Sequence, residues 1–409
     1  MQPAKHYITG LARTNARQPY RAFGVKAADR LSHIYIIGKT GAGKTTLLEN
    51  IARQDIRHGE GLTLLDYHGD LAERVAQNIP EYRRDDVIYF DATAETPHGY
   101  NPLRRVSPNR QTLAASGLLD VFHLQWGERA WGQRMEHVLR NALLALLAQP
   151  EEMTLLDVLR LLRDDVFRKG IARNVSHKPV RNFWLYEFPN YSFRYRADAI
   201  APIQSKVSAF LSDPRLYAIL TKPKQPLSFR RIMDEGKILL INLSVGKLGS
   251  DSAGLLGGLL ITSIGLAGLS RADSPECSRR RHWLFADEFQ HVTTASFVGM
   301  FPQLRKYHLG LTVAHQYVNQ IDEDVRYAIL GNTGTLIAFR LGAHDAPFIA
   351  REFEPTFRPQ DFMALSNFNI YLKLMIDGTP SRPFSATTLA ALHERPRTRP
   401  TELQDSGHD

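Results

Sequence analysis

The stretch IYIIGKTGAGKTTLLENI, residues 34–51, decides how the chain is read. A continuous apolar run, as in a strand buried on both faces, enters a glycine-rich turn. Residues with helical spacing follow, with Leu47, Leu48, Ile51, Ala52 and Ile56 on one face. Gly38, Lys39, Thr40, Gly41, Ala42, Gly43, Lys44 and Thr45, followed by Thr46, satisfy G-x-x-x-x-G-K-[ST] at every fixed position. A random chain of this length holds about 0.01–0.02 such matches even before a strand and a helix are demanded on either side. The glycines let backbone amides curl around a β-phosphate, Lys44 reaches the β and γ oxygens, and the Thr45 hydroxyl is placed to ligate Mg²⁺. ATP with Mg²⁺ is therefore the expected ligand pair.

Outward from this turn the pattern stays regular. LTLLD (62–66) and DVIYFDA (86–92) read as further strands and DLAERVAQNI (70–79) as a helix, which at this spacing predicts parallel strands joined by crossover helices. From about residue 104 to 231 the segments are helical instead, as in WGQRMEHVLRNALLALLAQ and in TLLDVLRLLRD, which Thr154 is placed to cap. Strand character returns at 237–243, 282–288, 310–316, 334–341 and 370–377. The expected fold class is α/β, a P-loop nucleotide-binding domain with a mostly parallel central sheet flanked by helices. Its expected division is an N-terminal segment 1–30, a discontinuous nucleotide-binding domain 31–103 and 232–392, an all-helical insertion domain 104–231, and a polar, disordered tail 393–409.

Bulk properties narrow the class. Cys277 is the single cysteine among 409 residues, so neither a disulfide framework nor a cysteine-built zinc site is available, and a cytoplasmic location is expected. A formal net charge of +9 permits a polyanionic partner such as DNA, a property shared by basic proteins that bind none. AGLLGGLLITSIGLAGL, residues 253–269, sits at the short end of what spans a bilayer and carries five glycines. Lying between two strand-like segments, it reads as a buried core helix, and no integral membrane segment is expected.

Hydrolysis needs carboxylates outside the turn. HWLFADEFQ ends an apolar strand in Asp287, placed to hold the metal, and Glu288, placed to activate the attacking water. Gln316 ends LTVAHQ, expected beside that strand, where an amide can sense the γ-phosphate; capping of the strand end is the plain alternative.

At these residues the chain resembles the conjugative coupling-protein ATPases of type IV secretion systems and, more broadly, the FtsK/HerA superfamily of DNA translocases. The phosphate loop, LLDYHGDLAERV, GYNPL, GKILLINLSVGKLG, LFADEFQ, LRKYHLGLTVAHQ, GNTGTLIAFRLGAHDA and YLKLMIDGTPSRPFSATTL carry the likeness, in order, from about residue 23 to 389. The resemblance implies a RecA-like sheet, a homo-oligomeric hexameric ring and DNA in its channel. It also implies roles by position: Lys44, Thr45 and Asp287 on phosphate and metal, Glu288 as base, Gln316 as sensor, and Arg305 as the arginine reaching a neighbouring subunit's γ-phosphate. A solvated helix end is the other reading of Arg305, and Arg340 competes for its role. Tyr67 stands where the family usually has proline, and only about thirty residues precede the first expected strand, where anchored coupling proteins carry a membrane segment.

Two segments are candidates for DNA contact. RNFWLYEFPNYSFRYRADAI, residues 181–200, interleaves aromatics with arginines, which suits single strands and equally suits a packing face. Lys247, in the expected loop SVGKLGSD (244–251), lines either a pore or plain surface. The expected activity is that of an ATP-hydrolysing DNA translocase serving a mobile element, DNA transfer or defence, with a relaxase, nuclease or secretion component as partner. The alternatives are a protein-moving secretion ATPase and an ATP-gated scaffold.

Overall fold

The structure is a computed structural model of the 409-residue chain and describes residues 7–15, 20–127, 131–221 and 226–391. The tail expected to be disordered lies outside the described residues.

Seven parallel strands form one continuous block of the sheet, out to its β5 edge: β3 (Ile34–Ile37), β4 (Gly61–Asp66), β5 (Val87–Asp91), β6 (Ile238–Asn242), β7 (His282–Ala286), β8 (Leu309–His315) and β9 (Thr335–Ala338). Four antiparallel strands extend it at the β9 side: β1 (Ile8–Thr14), β2 (Ala22–Lys26), β10 (Asn369–Lys373) and β13 (Phe384–Thr388). The sheet order is β2-β1-β13-β10-β9-β3-β8-β7-β4-β6-β5, and β11 (Met375–Ile376) with β12 (Thr379–Pro380) makes a separate small hairpin. β1 and β2 lie before the first strand expected from the sequence. Each is short and glycine-bearing, and β1 is completed by β13 from the far end of the chain, a pairing that no local pattern announces.

The apolar strands alternate between two cores. Ile34 and Ile36 face the helix Lys44–Arg57, whose Leu47, Leu48 and Ile51 are fully buried, while Tyr35 and Ile37 belong to the core on the other face. That second core holds the helix Ser250–Ser270. It is apolar around its whole circumference, 14 of its 21 residues are buried, and a helix of this kind belongs inside protein or bilayer. Of the described helices one is long and apolar enough to cross a membrane, Ser250–Asp273, and 78% of its apolar window is buried within the protein. Its glycines bring it close: a Cβ on Gly257 would lie 2.5 Å from Val292 Cγ1.

Every described regular element between Pro108 and Glu235 is helical. The helix Leu155–Arg163 starts at Thr154, whose backbone N–H donates to Asp157 Oδ2 at 2.8 Å in a capping box. Residues 244–251, expected as a loop, instead form a helical turn, Val245–Leu248, and the first turn of the long apolar helix. The reversal is made at Ser244, with φ 44°, whose amide and hydroxyl both donate to Asn242 Oδ1.

Candidate nucleotide site

Register assembles the site. Ile37 pairs with His315 on one side and Ala338 on the other, so the chain leaves β3, β8 and β9 at one level, with Gly38, Gln316 and Phe339 next in line. Ala286 pairs with Val313, which sets Glu288 opposite the end of β8.

The loop from Gly38 to Gly43 packs tightly on β9. Lys39 N donates to Arg340 O at 2.9 Å, and a Cβ on Gly38 would come within 2.5 Å of Phe339 Cβ. Gly43 caps the following helix with φ 118°, a conformation open to glycine, and a side chain there would also strike Phe368. Leu47 N to Gly43 O is the first helical bond, which leaves the amides of Lys44, Thr45 and Thr46 with no acceptor in the helix. Such a terminus, with its positive dipole end, is an anion cradle. Lys44 Nζ donates to Gly38 O at 2.6 Å and Lys39 O at 3.3 Å. Burial pulls the Lys44 ammonium below its ordinary range, while Glu288 and Asp287 hold it up.

The carboxylates face this loop. The Thr45 hydroxyl donates to Asp287 Oδ2 at 3.3 Å, so the two groups that would hold a hard divalent cation already face each other. Burial, then Glu288 and Asp66, push the Asp287 carboxyl up to about 6, with Lys44 opposing. Glu288 sits in the left-handed region, φ 50°, which turns its side chain off the strand direction. Gln316 Nε2 donates a short bond to its Oε1, and Gln290 Nε2 donates to its Oε2 at 2.7 Å. Thr40 Oγ1 in turn donates to Gln316 Oε1 at 2.7 Å. A chain of hydrogen bonds thus runs from the phosphate loop to Glu288. Gln290 was not legible as a site residue: its one sequence signal is its place two residues after Glu288.

The structure brings Lys44, Thr45, Asp287, Glu288 and Gln316 together and leaves Arg305 apart. Arg305 is exposed on a turn ahead of β8. Gln316 lies at the other end of that seven-residue strand, roughly 20 Å away at the usual rise. Arg340, by contrast, lies at the rim of its own chain's loop. Asp66 is structural, accepting from His68 N at 3.1 Å and Ala72 N at 2.9 Å. Tyr67 stacks on His291 at 4.4 Å and donates to Ser250 O, tying the turn to the apolar helix. The aromatic segment divides: Phe183, Trp184 and Phe188 are core, whereas Phe193 is 89% and Tyr186 63% exposed. Lys247 is exposed.

The family model of the helicase HerA central domain matches residues 27–254. The chain belongs to this family. HerA membership and the sheet make it a P-loop ATPase of the FtsK/HerA superfamily. Among solved structures it is similar to the unbound bacterial conjugative coupling protein TrwB, with a TM-score of 0.65 and 16% identity over 89% of this chain and 86% of that one. TrwB bound to a non-hydrolysable GTP analogue gives 0.65 and 17% over 98% of each chain. VirB4 of Thermoanaerobacter pseudethanolicus gives 0.62 and 17% over 96% and 98%. At these identities the likeness is one of fold. No curated protein sequence matches the chain.

Proposed function

We propose that the chain is an ATP-driven DNA translocase that works in the cytoplasm as a hexameric ring, with hydrolysis at each seam between subunits. The observation that carries this reading is the convergence of the Lys44 loop, Asp287, Glu288 and Gln316 at the ends of β3, β7 and β8. The division into a discontinuous nucleotide-binding domain and a helical insertion, residues 104–231, belongs to the same reading.

In this reading the amides ahead of Leu47 and the Lys44 ammonium hold the triphosphate. Thr45 and Asp287 hold Mg²⁺, which supplies charge neutralisation at the phosphate oxygens when bound. Glu288 accepts a proton from the attacking water on a lone pair that its two glutamine amide bonds leave open. Gln316 reports the γ-phosphate through Thr40. Arg305, too far from its own loop to act there, serves the neighbour's nucleotide. Support for the transport role comes from the fold shared with TrwB, described as a conjugative coupling protein. Support for DNA comes from the net charge of +9 and from Phe193 and Tyr186, exposed in the segment whose sequence also carries Arg181 and Arg194. Cys277, exposed and unpaired, fits a reducing compartment.

The test is ATP turnover with and without single- and double-stranded DNA across a salt series. The reading expects stimulation by DNA and loss of binding as salt rises, because phosphate contacts release counterions. Turnover indifferent to DNA at every salt concentration contradicts it and favours transport of protein.

A further inference from the structure

On the side of the phosphate loop away from the acidic residues stands an aromatic ring that hydrolysis leaves unused. Phe368 lies just ahead of β10, and its ring rests on Gly43: a Cβ built there would meet Phe368 Cδ1 at 2.8 Å and Cε1 at 3.3 Å. Phe339 backs the same point at 3.2 Å and is fully buried, whereas Phe368 is 45% exposed.

The Phe368 backbone is fixed in an uncommon state. Its φ is 66°, a left-handed conformation that glycine or asparagine adopts at lower cost than a bulky residue. Three hydrogen bonds hold it there. Phe368 N donates to Ala42 O at 2.8 Å, and its carbonyl accepts from Thr388 N at 2.8 Å and from Thr388 Oγ1 at 3.2 Å. The first bond ties the residue to the phosphate loop and the others tie it to the end of β13. Just beyond, Asn50 Nδ2 donates to Leu389 O and Ala390 O, both at 3.1 Å, which lays that chain against the second turn of the helix Lys44–Arg57. A lone exposed apolar side chain is ordinary on a protein surface. Packing alone, however, gives no reason for a large ring at a left-handed position when nearly half of it stays in water.

The direction of the nucleotide decides what meets this ring. Sheet order places β8 and β7, which carry Gln316, Asp287 and Glu288 at their ends, on one side of β3, and β9, β10 and β13 on the other. A triphosphate whose γ end faces Glu288 and Gln316 leaves its nucleoside end to the β10 side, where Phe368 stands. We propose that Phe368 stacks on the base of the bound nucleotide, closing a slot bounded also by the first turns of the helix and by residues 388–390. Every base has a π-face, so the contact holds the nucleotide without reading its edge. The stacking rests on the phosphate-holding role of the Lys44 loop and adds to it a hold on the far end of the ligand.

Calorimetric titration of the full chain with ATP and with inorganic tripolyphosphate, both with Mg²⁺, separates the two holds. Phe368→Ala should weaken ATP binding by about fivefold to a hundredfold, the usual worth of one aromatic–base stack, and leave tripolyphosphate binding within about twofold. Phe368→Trp should keep the ATP affinity, and its added indole emission, read against the wild type, should be quenched by ATP and not by tripolyphosphate. Unchanged ATP affinity in the alanine variant, or an indole indifferent to ATP, overturns the stacking. Equal losses for ATP and tripolyphosphate also overturn it and make Phe368 a prop for the loop. A wild-type protein that binds neither ligand refutes the phosphate-holding role itself, and the stacking with it.

Discussion

Gln316 Nε2 donates a hydrogen bond to Glu288 Oε1, across the gap between the ends of two neighbouring parallel strands. The same glutamine accepts from Thr40 of the phosphate loop. One amide therefore touches both the residue proposed to activate water and the loop proposed to hold phosphate. Replacing Glu288 by Gln keeps the volume and removes the base. Turnover should fall by about 10²–10⁴, the usual worth of such a group, while nucleotide binding stays within a few-fold of wild type. Gln316→Leu should lower turnover with binding likewise retained. Steady-state rates beside fluorescent-nucleotide titrations check both, and an active Glu288→Gln protein would remove Glu288 from the role.

Arg305 stands on the opposite rim of the sheet from its own nucleotide site. If it completes a neighbour's site, Arg305→Ala should cut turnover by about 10³–10⁵ and leave ATP binding intact. Mixing that variant with Lys44→Ala should restore part of the activity, since some seams then pair an intact loop with an intact arginine. A mixture as inactive as its two components would argue that Arg305 does not act across subunits.

His33 gives the fold a pH dependence of known sign. Its Nδ1 accepts from Leu311 N at 3.2 Å, so with Nε2 2.9 Å from Phe301 O the ring is neutral and donates from Nε2. Burial lowers its pKa from 6.5 to about 4, with the Phe301 carbonyl opposing and Arg305 assisting. The unfolded chain therefore binds the proton first, and stability is complete above pH 6.5 and lost as the pH falls toward 4. His282 and His315, both lowered to about 3, act in the same direction. The slope is up to about 1.4 kcal/mol per pH unit for each histidine. Urea melts between pH 4 and 7 should show it, and His33→Asn should reduce the slope by one proton's share.

Two glycines should respond oppositely to alanine. Gly257 faces Val292 and Leu243, which a Cβ would meet at 2.5 and 2.8 Å, so Gly257→Ala should cost about 1–3 kcal/mol by overpacking. Gly170 lies within a helix with nothing within 4 Å of an added Cβ, and Gly170→Ala should stabilise by about 0.5–1 kcal/mol. Thermal melts read both; equal effects would mean that the apolar helix is not packed as described.

The legible parts of this molecule were those written locally. The phosphate loop, the acidic strand end and Gln316 each follow from a short run of residues, because strand register turns adjacency in sequence into adjacency at one sheet edge. β1, β2 and β13 were not legible: ITGLART and FSATT pair with each other from opposite ends of the chain, and AFGVK becomes an edge strand only because ITGLART is held there. Residues 244–251 looked like a loop because Gly246 and Gly249 interrupt the pattern, yet Ser244 and Asn242 close a helical turn there. Gln290 escaped because its meaning lies in the hydrogen bond its amide gives to Glu288.

The central claim is that hydrolysis moves the protein along DNA, and a triplex-displacement assay reads that motion directly. With ATP and Mg²⁺, wild-type protein should strip a third strand from duplex or from a single-stranded loading tail, and Glu288→Gln protein should not. Displacement at the same rate without hydrolysis, or brisk ATP turnover that never displaces the strand from either direction, would contradict the account.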